Sequence, residues 1–236
     1  MSNQENQKGK FFVVGTPIGN LDEITKRAID VLKEADYILA EDTRVTGKLL
    51  KRFDISKKMY SYNSFSSQEK SEKIIDSLKK GQKIALVSDA GTPTISDPGF
   101  KIVSEIYQNL SENEVEILPV AGPSALICAL SVSGFTSSSF VFYGFLPHKK
   151  GRETIFKEIA QNTKTSVFYE SPNRVLKALT SLEKFCEDKR QVFVIREISK
   201  LFEEKKRGSI KEVLNFFEQN PNKLKGEFVV VVDKVK

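Results

Sequence analysis

Short apolar segments alternate with amphipathic segments through the first half of the chain. The apolar segments predict strands near residues 10–14, 36–40, 83–88 and 115–118. The amphipathic segments predict helices near residues 22–34, 43–52, 67–80, 98–109 and 123–132, with Asp22 as the N-cap of the first. Because continuously apolar strands are typical of sheets buried on both faces, this alternation predicts a mostly parallel sheet covered by helices.

The second half has more strand for each helix. Strands are predicted near residues 139–145, 165–170, 191–196, 201–207 and 227–233, with helices near 152–161, 173–185 and 209–218. This rhythm favours a mixed sheet. Small polar residues near 134–139 separate the two halves. We therefore expect a disordered tail over 1–9, an N-terminal α/β domain over 10–133 and a C-terminal α/β domain over 139–236.

Three loops rich in glycine and proline each follow a predicted strand. They cover residues 15–21, 88–99 and 119–125. Glycine allows a backbone to approach a ligand closely, and proline stiffens a loop. Ligands of open α/β sheets bind at the carboxyl ends of the strands. One such loop would be an ordinary connection, whereas three of them predict a composite ligand site.

Composition excludes several kinds of chemistry. The chain has 236 residues, with one histidine, His148, and two cysteines, Cys128 and Cys186. This inventory argues against a multi-histidine or zinc site and favours reduced, buried thiols. No apolar stretch approaches the ~20 residues of a membrane span, and the polar start of the chain does not predict a signal peptide. Neither a Walker A sequence nor the Gly-x-Gly-x-x-Gly pattern occurs, which disfavours a P-loop or a standard dinucleotide fold.

The balance of charge is moderately basic. Lysine and arginine number 37 against 31 acidic residues, a formal net charge of +6. Such a balance is compatible with a polyanionic partner such as RNA, although lysine-rich surfaces are also common without one.

The loops also resemble a known family. The resemblance rests on residues 15–21, 40–44 (Ala-Glu-Asp-Thr-Arg) and 88–99, and continues in order through 121–124, 144–147, 168–174, 196–200 and 225–227. These segments are similar to the tetrapyrrole-methylase superfamily. Within it, they resemble the branch that methylates the ribose 2′-oxygen of a cytidine in the decoding region of small-subunit (16S) ribosomal RNA.

The resemblance implies two α/β domains, an S-adenosylmethionine cofactor in the cleft between them, a homodimer, and action on the small ribosomal subunit in the cytoplasm. It also implies cofactor contacts from both domains. These are Gly15, Thr16, Pro17, Ile18, Asp89, Ala90, Gly91, Thr92, Ser124, Ala125, Phe168 and Tyr169. For the two aromatic residues, packing of one of them into the core is an equal alternative, since successive strand residues point to opposite faces.

Transfer of a methyl group to a ribose hydroxyl needs alignment of the reactants and an acceptor for the hydroxyl proton. Carboxylates at predicted strand ends are the candidate acceptors: Asp42, with Glu41 beside it, Glu170 and Glu197. Each of them could instead cap a helix or pair with a cation. No metal is implied.

Basic residues near the same strand ends are the candidate RNA contacts: Arg44, Arg152, Arg174, Arg196 and Lys200. Solvated surface charge is the alternative for any one of them. The chain departs from the family pattern at Val45, where histidine is usual, at 62–65, and at 119–123. Two other functions stay open: methylation of a tetrapyrrole or another small molecule, and binding to the ribosome without catalysis.

Overall fold

The computed structural model describes residues 7–235 and divides into two compact units, which meet in sequence between Pro123 and Ser124. Each unit is described by itself. Of the predicted disordered tail, residues 1–6 lie outside the described residues, and Gly9 already begins the first strand.

Among the described residues, the first unit contains five strands, of which the sequence predicts four, and the four α-helices that alternate with them. The strands are β1 (Gly9–Val14), β2 (Tyr37–Ala40), β3 (Lys58–Ser61), β4 (Lys83–Val87) and β5 (Val115–Val120). The helices are α1 (Lys26–Glu34), α2 (Thr43–Arg52), α3 (Gln68–Lys79) and α4 (Phe100–Asn109). All strand pairs are parallel, in the order β3-β2-β4-β1-β5. Because one cluster of buried side chains covers each face of the sheet, the three interior strands β2, β4 and β1 are mostly apolar.

Two details of this unit differ from the sequence-based prediction. The helix predicted from residue 22 begins at Lys26, because the side chain of Thr25 caps it by accepting the backbone N–H of Ala28. Asp22 lies in a separate turn of 3₁₀-helix, Leu21–Glu23, capped by Asn20. Strand β3 was not predicted, because it is a four-residue edge strand with mostly exposed side chains.

The second unit contains four α-helices and five strands. The helices are α5 (Ala125–Ser133), α6 (Arg152–Gln161), α7 (Val175–Phe185) and α8 (Ile210–Gln219). The strands are β6 (Phe140–Phe145), β7 (Thr165–Glu170), β8 (Gln191–Arg196), β9 (Glu204–Ser209) and β10 (Phe228–Val232). Their order is β6-β7-β10-β8-β9, with β6 and β7 parallel and the other pairs antiparallel. The predicted mixed sheet is thus confirmed.

Helix α5 belongs to the second unit, because it packs against the buried central strand β10. The sequence-based boundary after residue 133 therefore falls one helix too late. The glycine that suggested a linker has another purpose: Gly134 ends α5 in the left-handed conformation, with φ of 71°. Cys186 is buried and Cys128 is half-buried, and both are free thiols. Each described helix is too short or too polar to span a bilayer.

Candidate functional site

The loops after β1 and β4 are joined backbone to backbone at the carboxyl edge of the first sheet. The N–H of Thr16 donates to the carbonyl of Gly91 (2.8 Å), and the N–H of Gly91 donates to the carbonyl of Thr16 (3.1 Å). The buried hydroxyl of Thr16 also reaches the carbonyl of Ser88 (3.2 Å). These bonds fix two of the three predicted ligand loops relative to each other.

Two glycines in these loops are required by the local backbone. A Cβ on Gly15 would lie 2.8 Å from the Cα of Gly122, so the loops after β1 and β5 touch through their main chains. Gly91 has φ of 80°, which other residues rarely adopt, and its Cβ would lie 3.6 Å from the side chain of Ile18. All three predicted ligand loops therefore meet in the first unit, as the sequence predicts for the carboxyl edge of the sheet.

The rest of the loop after β4 holds two strained residues. Thr94 and Ser96 have φ of 78° and 62°. Oδ1 of Asp97 fixes the turn by accepting the N–H groups of Thr94 (2.9 Å) and Gly99 (2.6 Å). Strain of this kind is concentrated at functional sites. Sequence reasoning gave Asp97 no role, although an aspartate two residues before a glycine is a signal for such a turn.

Three carboxylates lie where β2 and β4 end. The N–H of Asp42 donates to the carboxylate of Asp89 (3.1 Å), and the N–H of Asp89 lies 3.4 Å from Oε2 of Glu41. Asp42 caps α2 and forms an ion pair with Arg44 (2.5 Å). Hydrogen bonds from Arg44 lower the pKa of Asp42 to about 2, so this predicted proton acceptor is the weakest base of the three.

The pKa values of Glu41 and Asp89 are shifted in the direction opposite to that of Asp42. Burial, aided by the neighbouring carboxylates, raises the pKa of Glu41 and the pKa of Asp89. Within residues 7–235, neither carboxylate forms a salt bridge with a lysine or arginine. The carboxyl edge of the first sheet thus holds negative charge that the described residues do not neutralise.

In the second unit, Glu170 ends β7 inside an ion cluster. Its carboxylate is fully buried: Oε2 accepts from Nη2 of Arg152 (2.8 Å), and Oε1 accepts the backbone N–H of Ser171 (2.9 Å). Nε of Arg174 lies 2.8 Å from Oε1 as a second ion pair. The same arginines donate to the carbonyls of Pro147 (3.2 Å) and Leu146 (3.0 Å). Both oxygens of Glu170 are thus engaged by groups of the protein itself, away from solvent. The two arginines are only 13% and 17% exposed, so we assign all three side chains to holding the chain between β6 and α6.

The residues after β8 are also paired. Nε of Arg196 lies 3.5 Å from Glu204, and Nζ of Lys200 lies 2.9 Å from Glu197 and 2.7 Å from Glu227. Although partial burial opposes the shift, the hydrogen bond from Lys200 contributes to lowering the pKa of Glu197. Glu197 is therefore a weak base.

Arg44 differs from the other four predicted RNA contacts. Its side chain is 86% exposed, whereas those of Arg152, Arg174, Arg196 and Lys200 are 28% exposed or less. Arg44 thus has its guanidinium at the surface, available to a large polyanion.

The two aromatic residues of β7, Phe168 and Tyr169, lie on opposite faces of the sheet, because successive side chains of a strand alternate between its faces. Phe168 is fully buried in the core against Phe156, so its side chain cannot reach a ligand. Tyr169 is half-buried and contacts the rings of Phe142 and Phe145, 5.0 and 5.4 Å between centroids. Its hydroxyl lies by the backbone of Leu126, in the first turn of α5. The second unit therefore brings Tyr169 to the start of α5, where Ser124 and Ala125 lie.

The chain was compared with known proteins. A family model described as tetrapyrrole (corrin/porphyrin) methylases matches residues 10–214. A protein of Thermotoga maritima named ribosomal RNA small subunit methyltransferase I is 46% identical over 224 residues, 95% of this chain and 98% of the relative. A protein of the same name from Escherichia coli O157:H7 is 40% identical, covering 97% of this chain and 79% of the relative.

Solved structures share the fold at low identity. The cobalt precorrin-4 methyltransferase of cobalamin biosynthesis has a TM-score of 0.69 at 15% identity, covering 95% of this chain and 94% of that chain. Uroporphyrin-III-C-methyltransferase from Thermus thermophilus has a TM-score of 0.65 at 15% identity, covering 96% and 95%.

Proposed function

This chain belongs to the tetrapyrrole (corrin/porphyrin) methylase family and is an S-adenosylmethionine-dependent methyltransferase, and we propose that its substrate is small-subunit ribosomal RNA. The acceptor is the ribose 2′-oxygen of a cytidine in the decoding region. The observation that carries this choice of substrate is the 46% identity over 95% of the chain with a relative of that name. The net charge of +6 supports a polyanionic substrate over a small molecule.

The cofactor contacts that we propose in the first unit come from the joined loops at 15–18 and 89–92. Within the second unit, Ser124, Ala125 and Tyr169 stay predictions from the family resemblance. The unneutralised charge of Glu41 and Asp89 suits this cofactor, since S-adenosylmethionine supplies its methyl group from a positively charged sulfonium. Gly91 has a positive φ, which residues with a side chain rarely adopt. As a glycine, it leaves the edge of the loop that a ligand would approach free of a side chain.

The chain must then align the ribose oxygen with the methyl group and accept a proton. Alignment of two reactants supplies about 7–11 kcal/mol where the geometry is good, and loops joined backbone to backbone are suited to it. For the proton we propose Glu41. Of the carboxylates considered, Asp42, Glu170 and Glu197 are held by cations, and Asp89 belongs to the predicted cofactor loop. Arg44, exposed beside Glu41, is the proposed contact to RNA phosphate.

Gly91→Val should abolish binding of S-adenosylmethionine while the protein stays folded. The added Cβ meets only Ile18 at 3.6 Å and Pro123 at 3.9 Å, so the core tolerates it. The branched side chain would occupy the ligand side of the loop, at a backbone strain of about 1–2 kcal/mol. Titration calorimetry with S-adenosylmethionine measures the effect.

Gly151→Val is the matched control for backbone strain. Gly151 also has a positive φ, 83°, but no atom lies within 4 Å of its Cβ position. We expect this variant to bind the cofactor with unchanged affinity. If the folded Gly91→Val protein binds S-adenosylmethionine with unchanged affinity, Gly91 is not part of the cofactor site.

The substrate proposal is tested with isolated small ribosomal subunits that lack the modification. The protein and radiolabelled S-adenosylmethionine are mixed with subunits, with free ribosomal RNA or with a tetrapyrrole, and label is followed. We expect label in ribosomal RNA as a 2′-O-methylcytidine, mapped by nuclease digestion to the decoding region. Label in the tetrapyrrole alone would overturn the proposal in favour of the small-molecule alternative. Comparison of subunits with free RNA identifies the form that is modified.

We further propose that the chain acts as a homodimer, in the cytoplasm where ribosomes are. Helix α4 leaves Phe100 and Tyr107 exposed two turns apart on one side, with Ile95 exposed in the preceding loop. A second copy covering this strip would remove apolar surface from water. Light scattering should give twice the mass of one chain, and Tyr107→Arg should lower it. A monomeric wild-type protein would contradict the proposal.

A further inference from the structure

A groove of about 850 Å³ lies beside the edge strand β3, on the face of the first sheet that α3 flanks. Residues of β2 and β3 form its floor: Tyr37, Leu39, Lys58 and Tyr60. The parallel register pairs Tyr37 with Lys58 and Leu39 with Tyr60, which places these side chains on one face. We call this feature the lysine groove.

The wall of the groove comes from the segment before β3 and from α3. Lys57, Lys70 and Lys73 line it together with Lys58. Nζ of Lys70 donates to the hydroxyl of Ser61 at the end of β3 (3.3 Å). Ser61 pairs with Ala40, the residue before Glu41 and Asp42. Lys70 therefore reaches from the groove to the edge of the sheet at which these carboxylates lie.

The charge of the groove is positive. Four lysines and two acidic residues line it, a net charge of +2. Glu69 pairs with Lys73 (2.6 Å), and Asp36 accepts the backbone N–H of Lys83 (2.7 Å). Within residues 7–235, Lys57, Lys58 and Lys70 form no salt bridge. Three lysines thus face the groove with charge that an anionic ligand could neutralise.

An aromatic platform lies among these lysines. The ring of Tyr60 is 49% exposed and stands edge-on to Tyr37, with 5.3 Å between centroids and an interplanar angle of 89°. Tyr37 is half-buried against the core cluster of this face, so its ring supports that of Tyr60. Unpaired lysines along a groove with an exposed aromatic ring are the chemistry that binds single-stranded nucleic acid.

We propose that the lysine groove binds single-stranded ribosomal RNA next to the nucleotide that is methylated. The lysines contact phosphates, and a base stacks on Tyr60. This inference rests on the proposed function, because the groove leads to the sheet edge that holds Glu41. It adds a binding surface that sequence analysis did not find, since β3 was not predicted.

The test compares two double variants that each remove two positive charges. Lys58→Gln with Lys70→Gln acts in the groove, and Lys79→Gln with Lys80→Gln removes exposed charges at the far end of α3. Binding to a single-stranded RNA oligonucleotide of the decoding region is measured from 50 to 300 mM salt. We expect the groove variant to bind about tenfold more weakly at moderate salt, with a salt slope reduced by about 1.4. The control variant should match wild type.

Stacking is tested separately with Tyr60→Trp. The chain contains no tryptophan, so this residue would be a unique fluorophore. Addition of the oligonucleotide should quench its fluorescence, and high salt should restore the fluorescence. Tyr60→Ala should weaken binding, whereas Tyr60→Phe should retain it.

Methylation of small subunits separates this inference from the proposed function. The groove variant should raise KM with little change in kcat, because the groove lies away from the reacting atoms. If wild type methylates subunits and the groove variant does so with unchanged KM and unchanged RNA affinity, the inference fails and the proposed function stands. If wild type methylates no ribosomal RNA, the proposed function fails. Tight binding of a small anion instead of the oligonucleotide would also overturn the inference.

Discussion

Glu170→Gln should lower the stability of the protein by about 3–5 kcal/mol, because it removes the one negative charge between two largely buried arginines. Arg152 and Arg174 would keep their bonds to the carbonyls of Pro147 and Leu146 but lose their counter-ion. Urea denaturation followed by circular dichroism measures the loss. Hydrogen exchange should rise locally at residues 146–152, which the cluster holds.

Glu153→Gln is the control for this variant. Glu153 is also paired, with Lys157 (2.8 Å), but both side chains are more than half exposed. Exposed pairs of this kind contribute little, so the urea midpoint should stay at the wild-type value. If Glu170→Gln shows wild-type stability and loses methylation instead, Glu170 is the proton acceptor that the sequence suggested and our assignment is wrong.

The order of elements could be predicted from sequence because the local signals agree with the fold. Strands β1, β2 and β4 lie inside the sheet and are largely buried, and buried parallel strands are apolar without alternation. Strand β3 has only four residues, carries Lys58 and Ser61 at its ends and lies at an edge, so it gave no such signal. The lysine groove depends on β3 and was missed for the same reason.

The position of the site could be predicted more reliably than the roles of its residues. Loops after parallel strands must meet at one edge of the sheet, so the sequence could predict that the loops at 15–21 and 88–99 lie together. Their contacts to the cofactor stay predictions. Which charged side chains pair with each other depends on distances in the folded protein, which the sequence does not give. Glu170 and Arg174 are four residues apart, but Arg152 reaches Glu170 only because α6 begins beside the end of β7. Two residues predicted to contact RNA and one predicted to accept the proton thereby form a buried ion cluster.

The partners of Glu41 and Asp42 in the structure give these adjacent carboxylates different roles. Sequence placed Asp42 and Glu41 together at the end of β2, and Asp42 was favoured. In the structure, Asp42 caps α2 and pairs with Arg44, while Glu41 lies beside Asp89 without a cation. A carboxylate that is partly buried against like charges makes the fold less stable, and natural proteins retain such strain at functional sites. Stability and activity should therefore respond in opposite directions when Glu41 is changed.

Glu41→Gln should slow single-turnover methylation of small subunits by about 10²–10⁴-fold. The amide keeps an oxygen for the N–H of Asp89 but cannot accept the hydroxyl proton. Binding of S-adenosylmethionine, measured by calorimetry, should change far less than the rate. If affinity for the cofactor falls as much as the rate, Glu41 complements the sulfonium and another group or water accepts the proton.

The same variant should be more stable than wild type at neutral pH. Because the pKa of Glu41 is raised in the folded state above its ordinary value of 4.5, the folded protein holds this proton more tightly than the unfolded chain. The wild-type protein therefore loses stability as pH rises from the ordinary value through the raised one. Glu41→Gln has no carboxylate to titrate at this position and so does not lose this stability. The melting temperatures of the variant and of wild type should therefore converge as pH falls below about 4.5.

Asp42→Asn is the matched comparison, because its carboxyl group has its pKa shifted the other way, to about 2. Loss of the ion pair with Arg44 should make this variant less stable than wild type at neutral pH, with a smaller effect on the methylation rate. Melting temperatures and single-turnover rates of both variants, measured on the same subunits, decide between the two residues. If Asp42→Asn is slow and destabilised while Glu41→Gln methylates at the wild-type rate, Asp42 and not Glu41 is the proton acceptor.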